Sequence, residues 1–308
     1  MRKVSLLVAL TLFTIAGTAR AQDEAAAAPV GDPAAAPAAD PTIVPPADAT
    51  PVAVAAVGGD YVSAPLTTSA GALKVTLPVV LNLSKSAVLK PVWIPLVLAY
   101  GVTDQLEVFV SHTGVGTPIA LGASPSGRGG GVCLGGTSRN CEKFYNNVNL
   151  GAQFSFLRDN GIELAGIGAL EFRRLSSPMH LAVDVGVNFK YASGPVSIRA
   201  TPVIGIGVNK RSADNNKEDL SVPVQIAFQA APVLAVFVDS GIYGPTTDFS
   251  KNYTVPVGLG AAFSVQPGLD VGAEFLLPMV VRGSFYKDAG VGAADARYLG
   301  VFATYRTK

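Results

Sequence analysis

From Leu181 to Tyr191 the chain alternates without a break. Leu181, Val183, Val185, Val187, Phe189 and Tyr191 are apolar, while His180, Asp184, Asn188 and Lys190 are polar and Ala182 and Gly186 are small. A period of two places these sets on opposite faces of an extended strand. After Ala192-Ser193-Gly194-Pro195 the pattern resumes through Val196, Ile198, Ala200, Pro202, Ile204, Ile206 and Val208, so Met179 to Asn209 predicts a hairpin of two long strands. Each arm holds about a dozen residues, more than the 5–6 of an ordinary globular strand and enough for the roughly 9–11 tilted residues that cross a bilayer. The less apolar face mixes charge with Gly and Ala, which suits a lumen that is partly wet and partly crowded.

The same alternation recurs in twelve segments: 72–83, 92–101, 104–113, 144–157, 161–174, 179–191, 195–209, 219–230, 232–243, 252–265, 268–281 and 296–306. Short connections fall at Val102-Thr103, Arg158-Asp159-Asn160, Ala192-Ser193-Gly194, near Ala231 and at Gln266-Pro267-Gly268; longer ones lie between them, the longest being Thr113 to Lys143. An even strand number with short turns at one end and long loops at the other predicts an all-β fold, a twelve-stranded antiparallel up-and-down transmembrane barrel. Closure is what hydrocarbon demands, because a strand edge there has no water to bond its N–H and C=O groups. Even parity puts both barrel ends and every short turn on the periplasmic side.

The N-terminal region reads differently. Met1 to Ala21 carries Arg2 and Lys3, an apolar run from Val4 to Ala16 and the Ala19-Arg20-Ala21 cleavage pattern, as in a secretory signal peptide. Residues 22–57 are Ala and Pro with a few acids, a composition that predicts a disordered periplasmic tether with a reach of roughly 110 Å at about 3.1 Å per residue. Such an arm serves as a spacer or as a contact to the cell wall or a partner. Residues 58–71 form a connecting segment too short and mixed to assign, and 72–308 is the barrel. The net charge of +1 argues against a nucleic-acid partner.

These features resemble the bacterial outer-membrane β-barrel superfamily over residues 72–308. Tyr100-Gly101-Val102-Thr103-Asp104-Gln105-Leu106-Glu107-Val108 also resembles a strand-turn-strand signature in barrel families that include the proposed transporters of phenol-degradation operons. The resemblance implies an outer-membrane location and lipid as a partner. The chain ends Tyr305-Arg306-Thr307-Lys308, a departure from the terminal aromatic usual in the superfamily's assembly signal.

On strict alternation the lipid face includes Leu73, Leu77, Leu150, Phe154, Leu259, Phe275 and Val301, and Tyr100, Phe156, Tyr191, Phe228, Phe263 and Tyr305 form an aromatic girdle near the short turns. The inward face carries charges of both signs. Lys74, Glu107, Glu163, Lys190, Arg199, Asp270 and Glu274, with Asp184 farther along its strand, are the candidates for a lumen constriction, read either as a selectivity or gating ring or as charges that neutralise one another. Pro95, Pro202, Pro223, Pro256 and Pro278 lie inside proposed strands and cannot donate to a ladder. They predict bulges or strand ends or, more sharply, a loosened outer wall through which an apolar solute leaves sideways.

Cys133 and Cys141, the only cysteines, lie in the longest loop and in an exported chain predict a disulfide. That loop folds into the lumen or stands outside as a receptor surface. No metal site, cofactor motif or catalytic set is called for; Ser111-His112 invites a hydrolase reading without the surrounding motif. The reading is a passive channel for small solutes and not an enzyme, with a non-conducting structural or surface-binding barrel as the alternative and an outer-membrane hydrolase third.

Overall fold

The alternating segments become strands that pair in chain order until the last meets the first. The computed structural model describes residues 61–84, 88–113, 131–134, 145–146, 148–175, 178–212 and 216–307, which all belong to one compact unit, Ala53–Lys308. The expected signal peptide and the expected tether lie outside the described residues. The strands are β1 (Leu73–Asn82), β2 (Val92–Ile94), β3 (Val97–Gly101), β4 (Leu106–Ser111), β5 (Gly131–Leu134), β6 (Tyr145–Asn146), β7 (Val148–Asp159), β8 (Ile162–Arg174), β9 (His180–Ser193), β10 (Val196–Ala200), β11 (Val203–Gly207), β12 (Asp219–Ala231), β13 (Leu234–Pro245), β14 (Thr254–Gln266), β15 (Leu269–Arg282) and β16 (Tyr298–Arg306). Two short helices, α1 (Phe249–Asn252) and α2 (Ser284–Asp288), lie in the long loops.

These elements make a closed antiparallel barrel of twelve wall strands. Closure is the β1–β16 pair, in register from Lys74 opposite Arg306 to Asn82 opposite Tyr298. Thr307 ties off the seam: its N–H donates to the Leu73 carbonyl at 2.9 Å and its Oγ1 accepts from the Leu73 N–H at 2.8 Å. The short turns fall where the alternation breaks. Asn160 and Gly161 both take positive φ, 47° and 79°, as a tight two-residue hairpin of matching twist requires.

Two wall strands that the pattern drew as continuous are divided at proline. β2 and β3 share one register against β1, with Trp93 opposite Val80 and Val97 opposite Thr76, but Pro95-Leu96 interrupts them. β10 and β11 share one register against β9, with Ala200 opposite Phe189 and Val203 opposite Gly186, and Thr201-Pro202 interrupts them. Neighbouring groups bridge the gaps: Val187 N–H donates to Pro202 O and His112 N–H to Leu96 O, both at 3.0 Å. Pro256 and Pro278 coincide with a register shift between β14 and β15, whereas Pro223 sits in an unbroken ladder opposite Gly241.

The longest loop takes neither expected course over its described part. β4 stops at Ser111, and β5 returns from the loop to pair with β2, placing Cys133 opposite Trp93, and with β6. The loop therefore supplies a piece of wall. Cys133 is buried there, and Cys141 lies outside the described residues.

Side-chain exposure follows the alternation. Leu259 is 65% exposed and Phe156 57%, and all six expected girdle aromatics lie exposed on the outer face near the short turns. Inside are two apolar clusters. Toward the long loops, Val80, Trp93, Cys133, Tyr243, Leu276 and Tyr298 pack together, with Trp93 edge-on to Tyr298 at a centroid distance of 5.8 Å. Toward the short turns, Ala227, Phe237, Ala262 and Phe302 pack around Val62 and Tyr61, residues that precede the barrel.

Candidate functional site

Inward parity puts a row of polar residues directly opposite one another on neighbouring strands. Glu163 on β8 faces Lys190 on β9, which faces Arg199 on β10; Arg199 faces Gln225 on β12, which faces Asp239 on β13. On the other side of this row, Glu107 on β4 faces Gln153 on β7. Both faces of each pair are fixed by the two-residue period, so the ring follows from strand register alone.

The ring is occupied by the chain's own residues 61–72. Reading from the barrel wall inward, Ala70 N–H donates to Asp104 Oδ1 at 2.9 Å, and Thr68 N–H donates to Glu107 Oε2 at 2.8 Å. The Thr68 hydroxyl donates to the same oxygen, and Lys74 Nζ reaches it at 3.0 Å. Thr67 Oγ1 donates to the Asp104 carbonyl at 2.7 Å and accepts from Arg158 at 3.1 Å. Leu66 N–H donates to Glu163 Oε2 at 2.7 Å, and Leu66 O accepts from Gln153 Nε2 at 2.8 Å. Ala64 O accepts from Lys190 Nζ at 2.7 Å and from Arg199 at 3.1 Å. Tyr61 stacks on Phe237 at 5.8 Å, and its hydroxyl reaches Gln225 Oε1 at 3.5 Å.

The physical reason is accounting of backbone groups. Residues 61–70 form no strand, main-chain bonds to β3 beginning only at Gly71 and Ala72, and irregular backbone at membrane depth is tolerated only where protein or lumen water satisfies it. The ring's charged side chains supply those partners. Burial of the Tyr61 phenol pushes its pKa up to about 12, with Arg199 opposing that rise.

The remaining constriction candidates are placed as follows. Glu163 also pairs with Arg158, and Asp270 is held by Arg306 and by Ser264 Oγ at 2.7 Å. Glu274 and Asp239 approach each other over Gly258 on β14, which leaves the room: a Cβ there would collide with Glu274 Oε1. Asp184 lies apart from the ring, toward the long loops. It shares the space over Gly205 with Asp219 and Arg173. Arg173 binds Glu171 Oε2 at 2.7 Å, Asp219 Oδ1 at 2.9 Å and Lys217 O at 2.7 Å, so it pins the entry to β12.

Ser111 and His112 are each engaged by neighbouring groups. The Ser111 hydroxyl is engaged by Thr113, and His112 Nδ1 lies 3.1 Å from the Leu96 carbonyl. Among the described residues no group of three or more metal-ligating side chains converges.

The constriction candidates leave out the occupant and four of its polar holders, Asp104, Gln153, Arg158 and Gln225. The available signal was Tyr61, the first aromatic after the Ala/Pro-rich stretch, followed by Val62 and Leu66.

The barrel is similar to a solved NanC porin at a TM-score of 0.53, covering 75% of this chain and 98% of that one at 6% identity. The chain shares a closed antiparallel β-barrel fold with that porin. At this identity the similarity is one of architecture. A KdgM porin aligns with a TM-score of 0.49 at 6% identity, covering 75% of this chain and 98% of its own. An outer-membrane channel from Pseudomonas putida F1 aligns with a TM-score of 0.46 at 11% identity, covering 81% and 98%. No family model and no curated protein matches the sequence.

Proposed function

We propose that this outer-membrane barrel is a channel for passive movement of small solutes, closed at its short-turn end by residues 61–72. One observation carries the reading: residues 61–70 are held in the lumen mainly by side chains, and main-chain pairing with β3 begins only at Gly71 and Ala72, so residues 61–70 can leave without breaking a strand pair. In this reading the short turns are periplasmic, residues 1–21 are removed on export, and residues 22–57 tether the segment to the periplasm. A Cys133–Cys141 disulfide secures the loop that rejoins the wall through β5. Lys74, Glu107, Glu163, Lys190 and Arg199 set access when the segment is out. The outer part of the lumen, where Trp93, Tyr243, Leu276 and Tyr298 are buried together, favours a solute of low polarity.

The same occupied lumen favours a second reading, a non-conducting barrel. Planar-bilayer recordings on the full chain separate the two. The channel reading expects small conductance from the natural chain and larger, stepwise openings from Val62→Asp, which drives a charge into the apolar seat of the segment. Absence of current and of liposome swelling in both proteins leaves the non-conducting barrel.

A further inference from the structure

The contacts that hold residues 61–71 are directed mainly at atoms every peptide possesses. Ala64 O, Leu66 N–H, Leu66 O, Thr68 N–H and Ala70 N–H are each bound by a side chain of the barrel or its first turn. All four residues are even-numbered, so one edge of the segment is read at two-residue intervals. Side-chain identity enters at fewer points: the apolar seat of Tyr61 and Val62 among Ala227, Phe237, Ala262 and Phe302, and the hydroxyls of Thr67 and Thr68. Donors and acceptors both occur in the ring, Lys190, Arg199 and Gln153 for carbonyls and Glu163 and Glu107 for N–H groups. That mixture suits a neutral amide chain better than an ion of either sign.

We infer that the ring is a peptide-binding site that reads main chain, with residues 61–71 as its built-in occupant. Its ligand class is a short, non-helical peptide with an aromatic or branched apolar residue near the N-terminal end. Such a ligand reaches the ring in trans only when the built-in segment is loosened, because a tethered segment acts at an effective concentration on the order of millimolar. The inference concerns binding and stands whether or not the barrel conducts.

The test uses the full chain carrying Tyr61→Ser and Val62→Asp, changes confined to the segment that leave every ring residue in place. Its probes are fluorescein-labelled synthetic peptides followed by anisotropy. One has the sequence of residues 60–71. A second has Leu66, Thr67 and Thr68 replaced by Ala, and a third is N-methylated at Leu66 and Thr68, which removes two donors and keeps the side chains.

Saturable binding of the first is expected, with the second within about fivefold of it and the third weaker by more than tenfold. No saturable binding of the first, equal binding of the third, or loss of binding by the second alone overturns the inference. Should the double variant not refold, Val62→Cys in the otherwise natural chain, at a position buried while the segment is docked, gives the same answer. Millimolar unlabelled peptide then speeds maleimide labelling of that cysteine as the segment is displaced, and the N-methylated peptide does not; equal effects of both peptides, or none from either, reject the site.

Discussion

Lys190 and Arg199 face each other across the β9–β10 pair and both donate to a single acceptor, the carbonyl oxygen of Ala64, at 2.7 and 3.1 Å. Two cations on one neutral oxygen make the contact redundant. Removing either leaves the carbonyl bonded, whereas removing both leaves it buried without a donor. A typical hydrogen bond contributes about 0.5–1.5 kcal/mol net, while an unsatisfied buried group costs about 1–3 kcal/mol. Arg199→Gln is therefore expected to raise maleimide labelling of a Val62→Cys reporter, buried while the segment is docked, by only about 2- to 10-fold, and Lys190→Met with Arg199→Gln by clearly more than the product of the single effects. Multiplicative effects would show that the two donors act independently.

The Tyr61 phenol provides a pH signature of docking. An unfolded tyrosine ionises near 10, and the buried one near 12, so the docked state favours the neutral form. Its stabilising share is complete below pH 10 and is lost as pH rises from 10 to 12. Ultraviolet titration of natural chain minus Tyr61→Phe should show one phenol with a midpoint close to 12. A midpoint near 10 would mean that the ring of Tyr61 is not seated on Phe237.

Two glycines are seats for the aromatic rings of the inner cluster. A Cβ at Gly260 would collide with Phe237, and one at Gly272 with Phe302. Gly272→Ala should overpack this layer at a cost of about 1–3 kcal/mol, read as a lower urea midpoint for unfolding from lipid vesicles. Gly166→Ala is the control, since nothing lies within 4 Å of a Cβ there.

The outward face offers a test of the barrel's setting in lipid. Leu259 lies midway along β14 and is the most exposed of its apolar residues. Leu259→Arg should destabilise the inserted barrel by about 2–4 kcal/mol, the cost of an arginine facing lipid at the midplane. A change below about 1 kcal/mol would place this position near an interface.

Most of the wall was legible because a two-residue period states both where a strand runs and which face it shows. Glu163, Lys190, Arg199 and Glu107 were assigned inward on that basis, and each lies inward. The divisions at Pro95 and Pro202 were legible only as risk, since a missing N–H can produce a bulge, a break or nothing, and Pro223 shows the last of these. The piece of wall at β5 was not legible: four residues are too few to display a period, and their place depends on where β4 ends. Residues 61–72 were the deepest omission. Their backbone is irregular and their hydrogen bonds reach a residue 164 positions away, so no local pattern announces them.

Residues 61–72 touch side chains of β4, β7, β8, β9, β10, β12, β13, β14 and β16. A segment with that reach is a hoop as well as a stopper. Whatever draws it out must also give up bracing between wall strands that are far apart in the chain, so opening and mechanical rigidity are coupled through one set of bonds. Mutations that open this barrel most readily should also be those that leave its rim easiest to deform.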